Sequence, residues 1–145
     1  MSYQQQPPPN QPQAPQQYQP QAPMGMLQLT IQGNIMTSSM IPPKVRLNGY
    51  PVQAKYGRND IPVFAGPLHV DVHCEWMRDF GQAALDFTVQ PNQAVPVFYA
   101  APYHQFTTGS IGHSKVKRKG SGFLIGLIGA VVAVSVLVVV LAALG

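Results

Sequence analysis

The stretch "GPLHVDVHCEW", Gly66–Trp76, decides between two folds and two chemistries. Wound as a helix, it would stack His69 and His73 one turn apart, a pair of nitrogen ligands for one metal ion. Drawn out as a strand, it would separate them by about 13 Å, whereas donors on one metal lie about 3 Å apart. The strict alternation of Leu68, Val70, Val72, Cys74 and Trp76 with polar residues, opened by Gly66-Pro67, favours the strand. The apolar set is then expected inward. His69, Asp71, His73 and Glu75 are expected outward, as a contact surface. Asp71 with His73 makes half a metal site, and His104 and Asp86 are conceivable partners that the spacing does not place. The expectation is no metal and no cofactor, with the single Cys74 as a small core residue rather than a nucleophile.

The same alternation continues on both sides. "MLQLTIQ" sets Leu27, Leu29 and Ile31 on one face. "KVRLNGYPVQAKYG" places Asn48-Gly49 between alternating runs, the pair that best tolerates the positive φ of a two-residue hairpin. "DIPVFAG", "AALDFTV" and "AVPVFYAAPY" supply further strands, with turns expected at Arg78–Gly81 and Pro91-Asn92. About seven short strands broken by Gly, Pro and Asn predict an all-β fold, a small antiparallel β-sandwich. Pro51, Pro62 and Pro96 fall within strand patterns and belong at edges or bulges.

"KVRLNGYPV", "IPVFAGPLHVDV" and "ALDFTVQPNQAVPVFY" together resemble the strand plan of PEGA-type domains, small bacterial β-sandwiches. Val45, Asn48, Gly49, Pro62, Gly66 and His69 stand at the matching points over roughly residues 44–99, and "PVFAG" replaces the Pro-Glu-Gly-Ala tetrapeptide. The whole chain, through "NGYPV", "EWMRDFGQA" and "FYAAPYHQFTTGSIGHSKVKRKG", is similar to a group of small actinobacterial single-span membrane proteins. The resemblance implies a PEGA-like sandwich and a bacterial lineage, and it implies no biochemical activity.

The end of the chain reads differently. Residues 123–144 are apolar apart from Ser135 and glycines. As a helix they would extend about 33 Å, enough for a hydrocarbon core of about 30 Å. Lys115, Lys117, Arg118 and Lys119 lie just before this run and nothing basic follows it, which predicts a cytoplasmic N-terminal side by the positive-inside rule. These four residues also carry the whole formal excess of +4, so the basic pI belongs to a membrane flank and nucleic acid is not expected. Gly122, Gly126 and Ala130 recur every four residues, a small-residue stripe suited to helix packing. The lipid bilayer is the first expected partner, and a membrane protein or a second copy paired through the span is the next.

Residues 1–25, nearly all Gln, Pro, Ala and Tyr, have too little aliphatic surface to fold and predict a disordered Pro/Gln-rich arm. They carry neither a basic n-region nor an apolar h-region, so no export signal is expected there. The predicted organisation is arm 1–25, sandwich 26–108, basic linker 109–122 and transmembrane helix 123–144. Tyr103, His104 and Phe106, close to the basic flank, form a second expected contact surface for headgroups or a partner. No phosphate-cradling loop, nucleophile elbow or paired catalytic carboxylates can be picked out. The reading is a non-catalytic, tail-anchored adaptor, scaffold or accessory subunit. Its alternatives are an envelope-facing binding domain and a metal-dependent enzyme.

Overall fold

Strands form where the side chains alternate. In the computed structural model, which describes residues 22–145, they are β1 (Met24–Gln32), β2 (Lys44–Leu47), β3 (Tyr50–Val52), β4 (Gly57–Phe64), β5 (Gly66–Trp76), β6 (Arg78–Val89), β7 (Ala94–Ala100) and β8 (Ser110–Gly112). One helix, α1 (Ser121–Leu144), follows. Two four-stranded sheets, ordered β4-β1-β7-β8 and β3-β2-β5-β6, pack face to face. Leu27, Leu29 and Ile31 of β1 and Val97 and Tyr99 of β7 meet Val45 of β2 and Val70, Val72 and Cys74 of β5 in one buried core. Each is an inward residue of a period-two strand, so the core follows directly from the pattern. The expected all-β sandwich with one apolar C-terminal helix is the observed fold.

Two details of the sheets depart from a purely antiparallel plan. β1 and β7 pair in parallel, Leu29 beside Val97, while every other pairing among the described residues is antiparallel. The two strands are far apart in sequence, so the intervening chain can make the return that parallel pairing needs. The hairpin after β5 turns at Met77, with φ of 45°, and not over Arg78–Gly81. Trp76 pairs with Arg78, Glu75 with Asp79 and Cys74 with Phe80. Further along, Gly81 and Gln82 together oppose His73 where the register shifts. Gly81 has φ of 64°, the left-handed conformation a bulge of this kind takes.

The prolines sit where a missing N–H disturbs least. Pro51 and Pro62 lie on the edge strands β3 and β4, and Pro96 lies on β7 short of the segment that β8 pairs. The Asn48-Gly49 turn has φ of 49° and 84°, as a two-residue hairpin between β2 and β3 requires.

Domain limits shift at both ends. Met24 and Gly25, expected in the arm, pair with Phe64 and Val63 in β1; residues 1–21 of that arm lie outside the described residues. The sheet also takes Ser110–Gly112, which pair with Phe98–Ala100 beyond the expected end at residue 108.

The topology gives the sandwich two distinct ends. β1, β5 and β7 all run toward the same end, and α1 starts there. At the opposite end lie the starts of those strands, the Asn48-Gly49 hairpin and the Pro91-Asn92 turn.

Candidate functional site

The outward row of β5 does not act as one surface. His69 is exposed and its Nδ1 lies 2.5 Å from Asp86 Oδ1, its cross-strand partner on β6. His73, expected in solvent, is only 8% exposed. Lys44 is its cross-strand neighbour, and the Ile41-Pro42-Pro43 segment lines the same groove of about 570 Å³. The alternation fixed the face of His73 but not its exposure, since a side chain on the outer face can still be buried. Asp71 is half-buried and stands opposite Arg46 and Ala84.

Next to His73 the hairpin assembles a set that spacing alone did not bring together. Ligand atoms of His73, Glu75 and Asp79 all lie within 4.8 Å of one another. His73 Nε2 is 3.5 Å from Glu75 Oε1, and Lys44 Nζ is 3.9 Å from Glu75 Oε2. One imidazole and two carboxylates match the donor chemistry of a divalent cation, while Lys44 already offers Glu75 a positive charge. His69 and His104 stand outside the set. The signal was present in the sequence: two residues on one strand plus a hairpin partner, visible once the turn is centred on Met77.

The other cluster lies at the end from which α1 leaves. Trp76, expected in the core, is 48% exposed because β5 has passed the last core layer, Cys74 with Tyr99. It lines a groove of about 430 Å³ with Ile35, Met40, Phe80, Tyr103 and Phe106. Met77 at the turn is 96% exposed and Phe106 72%. Phe80, by contrast, packs against the core.

Three loops are fastened together here by polar contacts. Tyr56 donates its hydroxyl proton to Ser39 O at 2.9 Å and accepts from Ser39 N at 3.2 Å, holding the 33–41 loop down. Arg118 donates to Ala101 O (2.9 Å), Pro102 O (3.1 Å) and Thr37 O (2.7 Å), and its guanidinium lies 4.2 Å from the centre of the Tyr103 ring. A planar guanidinium with several donors suits a junction of carbonyls that a lysine ammonium would serve poorly. Gln32 exchanges two 2.9 Å hydrogen bonds with the backbone of Val116, and Lys119 O accepts from Tyr103 N.

The segment expected as a basic linker, 109–122, is fastened along the sandwich. Of its four cations, Arg118 holds the structure together and Lys119 Nζ donates to Thr108 Oγ1 at 3.0 Å. Lys115 and Lys117 are exposed. The His104 ring packs against Phe123, centroids 4.6 Å apart, and fills the space where a side chain on Gly120 would go. Gly120 takes φ of 95°, so both its backbone and its neighbour select glycine.

α1 buries no residue against the described part of the chain. Its 24 residues would extend about 36 Å, sufficient to cross a bilayer. A Cβ built on Gly122 or Gly126 meets nothing within 4 Å, so the Gly122-Gly126-Ala130 stripe is open.

The groups whose ionisation is perturbed lie beneath this end. Burial pushes the Tyr99 hydroxyl far above its ordinary range, reinforced by Cys74, while it donates to Gly81 O at 2.7 Å. Burial likewise raises the Cys74 thiol, 3.4 Å from Tyr99 Oη, and the Tyr56 hydroxyl. These shifts come from packing, and they make Cys74 a poor nucleophile. Compared with known proteins, the chain matches no family model, no curated protein and no solved structure.

Proposed function

We propose that this is a single-span, tail-anchored membrane protein whose β-sandwich is held at the bilayer as a non-catalytic adaptor, scaffold or accessory subunit. The observation that carries the reading is the junction at Arg118. An exposed apolar helix long enough to span begins at Ser121, three residues after Arg118, in a segment that hydrogen bonds fasten to the sandwich. A linker that merely tethered a domain would need none of those contacts. Lys115, Lys117 and Lys119 lie on the sandwich side of α1, which supports a cytoplasmic sandwich in a cell membrane.

The non-catalytic part of the proposal draws on the perturbed groups. Active sites concentrate shifted acids and bases in a cleft. Here the shifted groups are Cys74 and Tyr99 of the packed core and Tyr56, which holds a loop. Partner contact is assigned to the exposed sheet surfaces and to the span itself, with Gly122, Gly126 and Ala130 as the packing face. The PEGA-like, bacterial lineage belongs to the same proposal.

Three measurements test it. The full-length chain is expected to remain with membranes through alkaline carbonate extraction, and release into the supernatant would remove the anchor. Protease added to intact cells is expected to spare the sandwich; its digestion would place the domain outside. Purification in mild detergent should then retain a stoichiometric companion or a second copy, and a lone monomer would count against the adaptor role.

A further inference from the structure

Three loops remote in sequence put large apolar side chains in water around the start of α1. The 33–41 loop contributes Ile35, Met36 and Met40, the β5–β6 turn Trp76 and Met77, and the segment after β7 Phe106. Met36 is 91% exposed and Met77 96%, values that are uncommon for side chains of this size on a folded surface. These residues border a common groove or project beside it. Contiguous apolar surface of this kind on a small domain marks a docking face.

We infer that this rim inserts into the headgroup–acyl boundary of the same bilayer that α1 crosses, so that the sandwich lies against the membrane instead of standing off it. The inference rests on reading α1 as a span, and it adds where the domain sits. Continuity of the chain favours the bilayer over other occupants. Lys119 is hydrogen-bonded to Tyr103, and Phe123, the first large apolar residue of the helix, packs on His104. His104, the residue after Tyr103, has its ring centre 4.6 Å from that of Phe123, so this segment reaches the first turn of α1. The interfacial zone is about 6 Å deep on each side. If Phe123 marks the edge of the hydrocarbon, Tyr103 and its neighbours lie within the headgroup layer.

The chemistry of the rim agrees. A tryptophan, a tyrosine and a phenylalanine beside cations are the composition of membrane-interface belts. Arg78 lies 5.8 Å from the centre of the Phe106 ring, and Lys119 is exposed close by. The carboxylates of the hairpin, Glu75 and Asp79, sit one pair further from the tip than Arg78, with Lys44 near Glu75. Cations therefore stand nearest the proposed surface, as an anionic lipid headgroup would require.

Trp76 is the single tryptophan of the chain, so its fluorescence reports on the rim alone. The test uses the full-length protein reconstituted in vesicles of phosphatidylcholine with phosphatidylglycerol, with acyl chains unlabelled, brominated near the headgroup, or brominated deep in the core. Flotation of the vesicles reports the anchor independently.

The expected result is quenching of Trp76 by shallow bromines of at least about twofold, with less by deep ones, as interfacial depth dictates. Met77→Asp with Phe106→Ser should reduce that quenching to the unlabelled level while the protein still floats. If Phe106→Ser disturbs folding, Met77→Asp alone carries this arm, because its side chain is almost wholly in water. Equal emission in all three lipids from floating protein overturns the inference, whether the rim then faces water or a second copy. Failure to float overturns the anchored reading instead.

Discussion

The two ends of the sandwich are built from the same strands yet close in opposite ways. At the far end the chain reverses in short polar turns: Asn48-Gly49, Ala65-Gly66 and Pro91-Asn92, with Asn48 Oδ1 accepting from His69 N and Gln93 Oε1 from Gln90 N. Its exposed Met24 on β1 and Phe64 on the edge strand β4 are cross-strand partners, and Tyr50 lies on the edge strand β3 of the other sheet. At the helix end, apart from the tight β5–β6 hairpin at Met77, the loops are longer, carry apolar side chains outward, and are tied by Arg118, Tyr56 and Gln32. One end is closed by backbone conformation, the other by side chains reaching across the chain. A turn that supports itself needs no partner. A loop that presents Met36 to solvent needs anchors beneath it, and the hydrogen bonds of Tyr56 to Ser39 and of Arg118 to Thr37 supply them.

That contrast can be broken by substitution. The largest effect is expected from Arg118→Met, which removes three hydrogen bonds to carbonyls and the stacking on Tyr103. Destabilisation of about 3 kcal/mol is expected, measured by urea unfolding of the full chain in detergent, with faster amide exchange through residues 101–106. A change under about 0.5 kcal/mol would show that the loops hold themselves. At the far end, Gly49→Val forces a β-branched residue to φ of 84°. About 2 kcal/mol is expected from the left-handed conformation, with amide exchange in the helix-end loops unaffected. Spread of the effect to those loops would mean that the ends are coupled.

A pH titration probes the layer under the helix end. Burial raises the Cys74 thiol from its ordinary 9.0 and the Tyr99 hydroxyl from 10.0, so the folded state holds those protons more tightly than the unfolded chain. Their stabilising contribution is complete below about pH 9 and is lost progressively as pH rises through the folded values. Unfolding midpoints should therefore fall in alkali, less steeply in Tyr99→Phe. An unchanged slope in that variant would assign the loss to other groups. The smallest effect belongs to Met77→Asp, expected within about 0.5 kcal/mol in detergent or buffer, since nothing packs on the turn. A large loss there would make Met77 a structural residue and blur the difference between the ends.

How legible each end was from sequence follows the same division. The far end could be read directly, because Asn48-Gly49 and Pro91-Asn92 state their own conformation. The core was equally open, since period two assigns Leu27, Leu29, Val70, Val72 and Val97 to one side with no knowledge of partners. At the helix end the reading failed in four places. Trp76 keeps the alternation of β5 but lies beyond the last core layer, and alternation fixes a side, not a depth. His73 points away from the core yet is buried, beside a groove that a segment some thirty residues earlier also lines. Arg118 looked like one of four headgroup cations. Its carbonyl partner on Thr37 lies 81 positions away, a separation at which local pattern says nothing. The His73-Glu75-Asp79 set was missed for a smaller reason, a turn placed a few residues late.

The parallel pairing of β1 with β7 has a mechanical consequence. β1 begins at the far end, where residue 22 leads into it, and β7 runs beside it toward α1. A pull on residue 22 directed away from the helix would draw β1 along its own axis, between β4 and β7, loading the hydrogen bonds of both ladders at once. Peeling a strand from a sheet breaks such bonds one after another, whereas this direction of tension must break them together. Placed between a tether at its amino-terminal end and a fixed helix at the other, the sandwich would resist extension as a clamp.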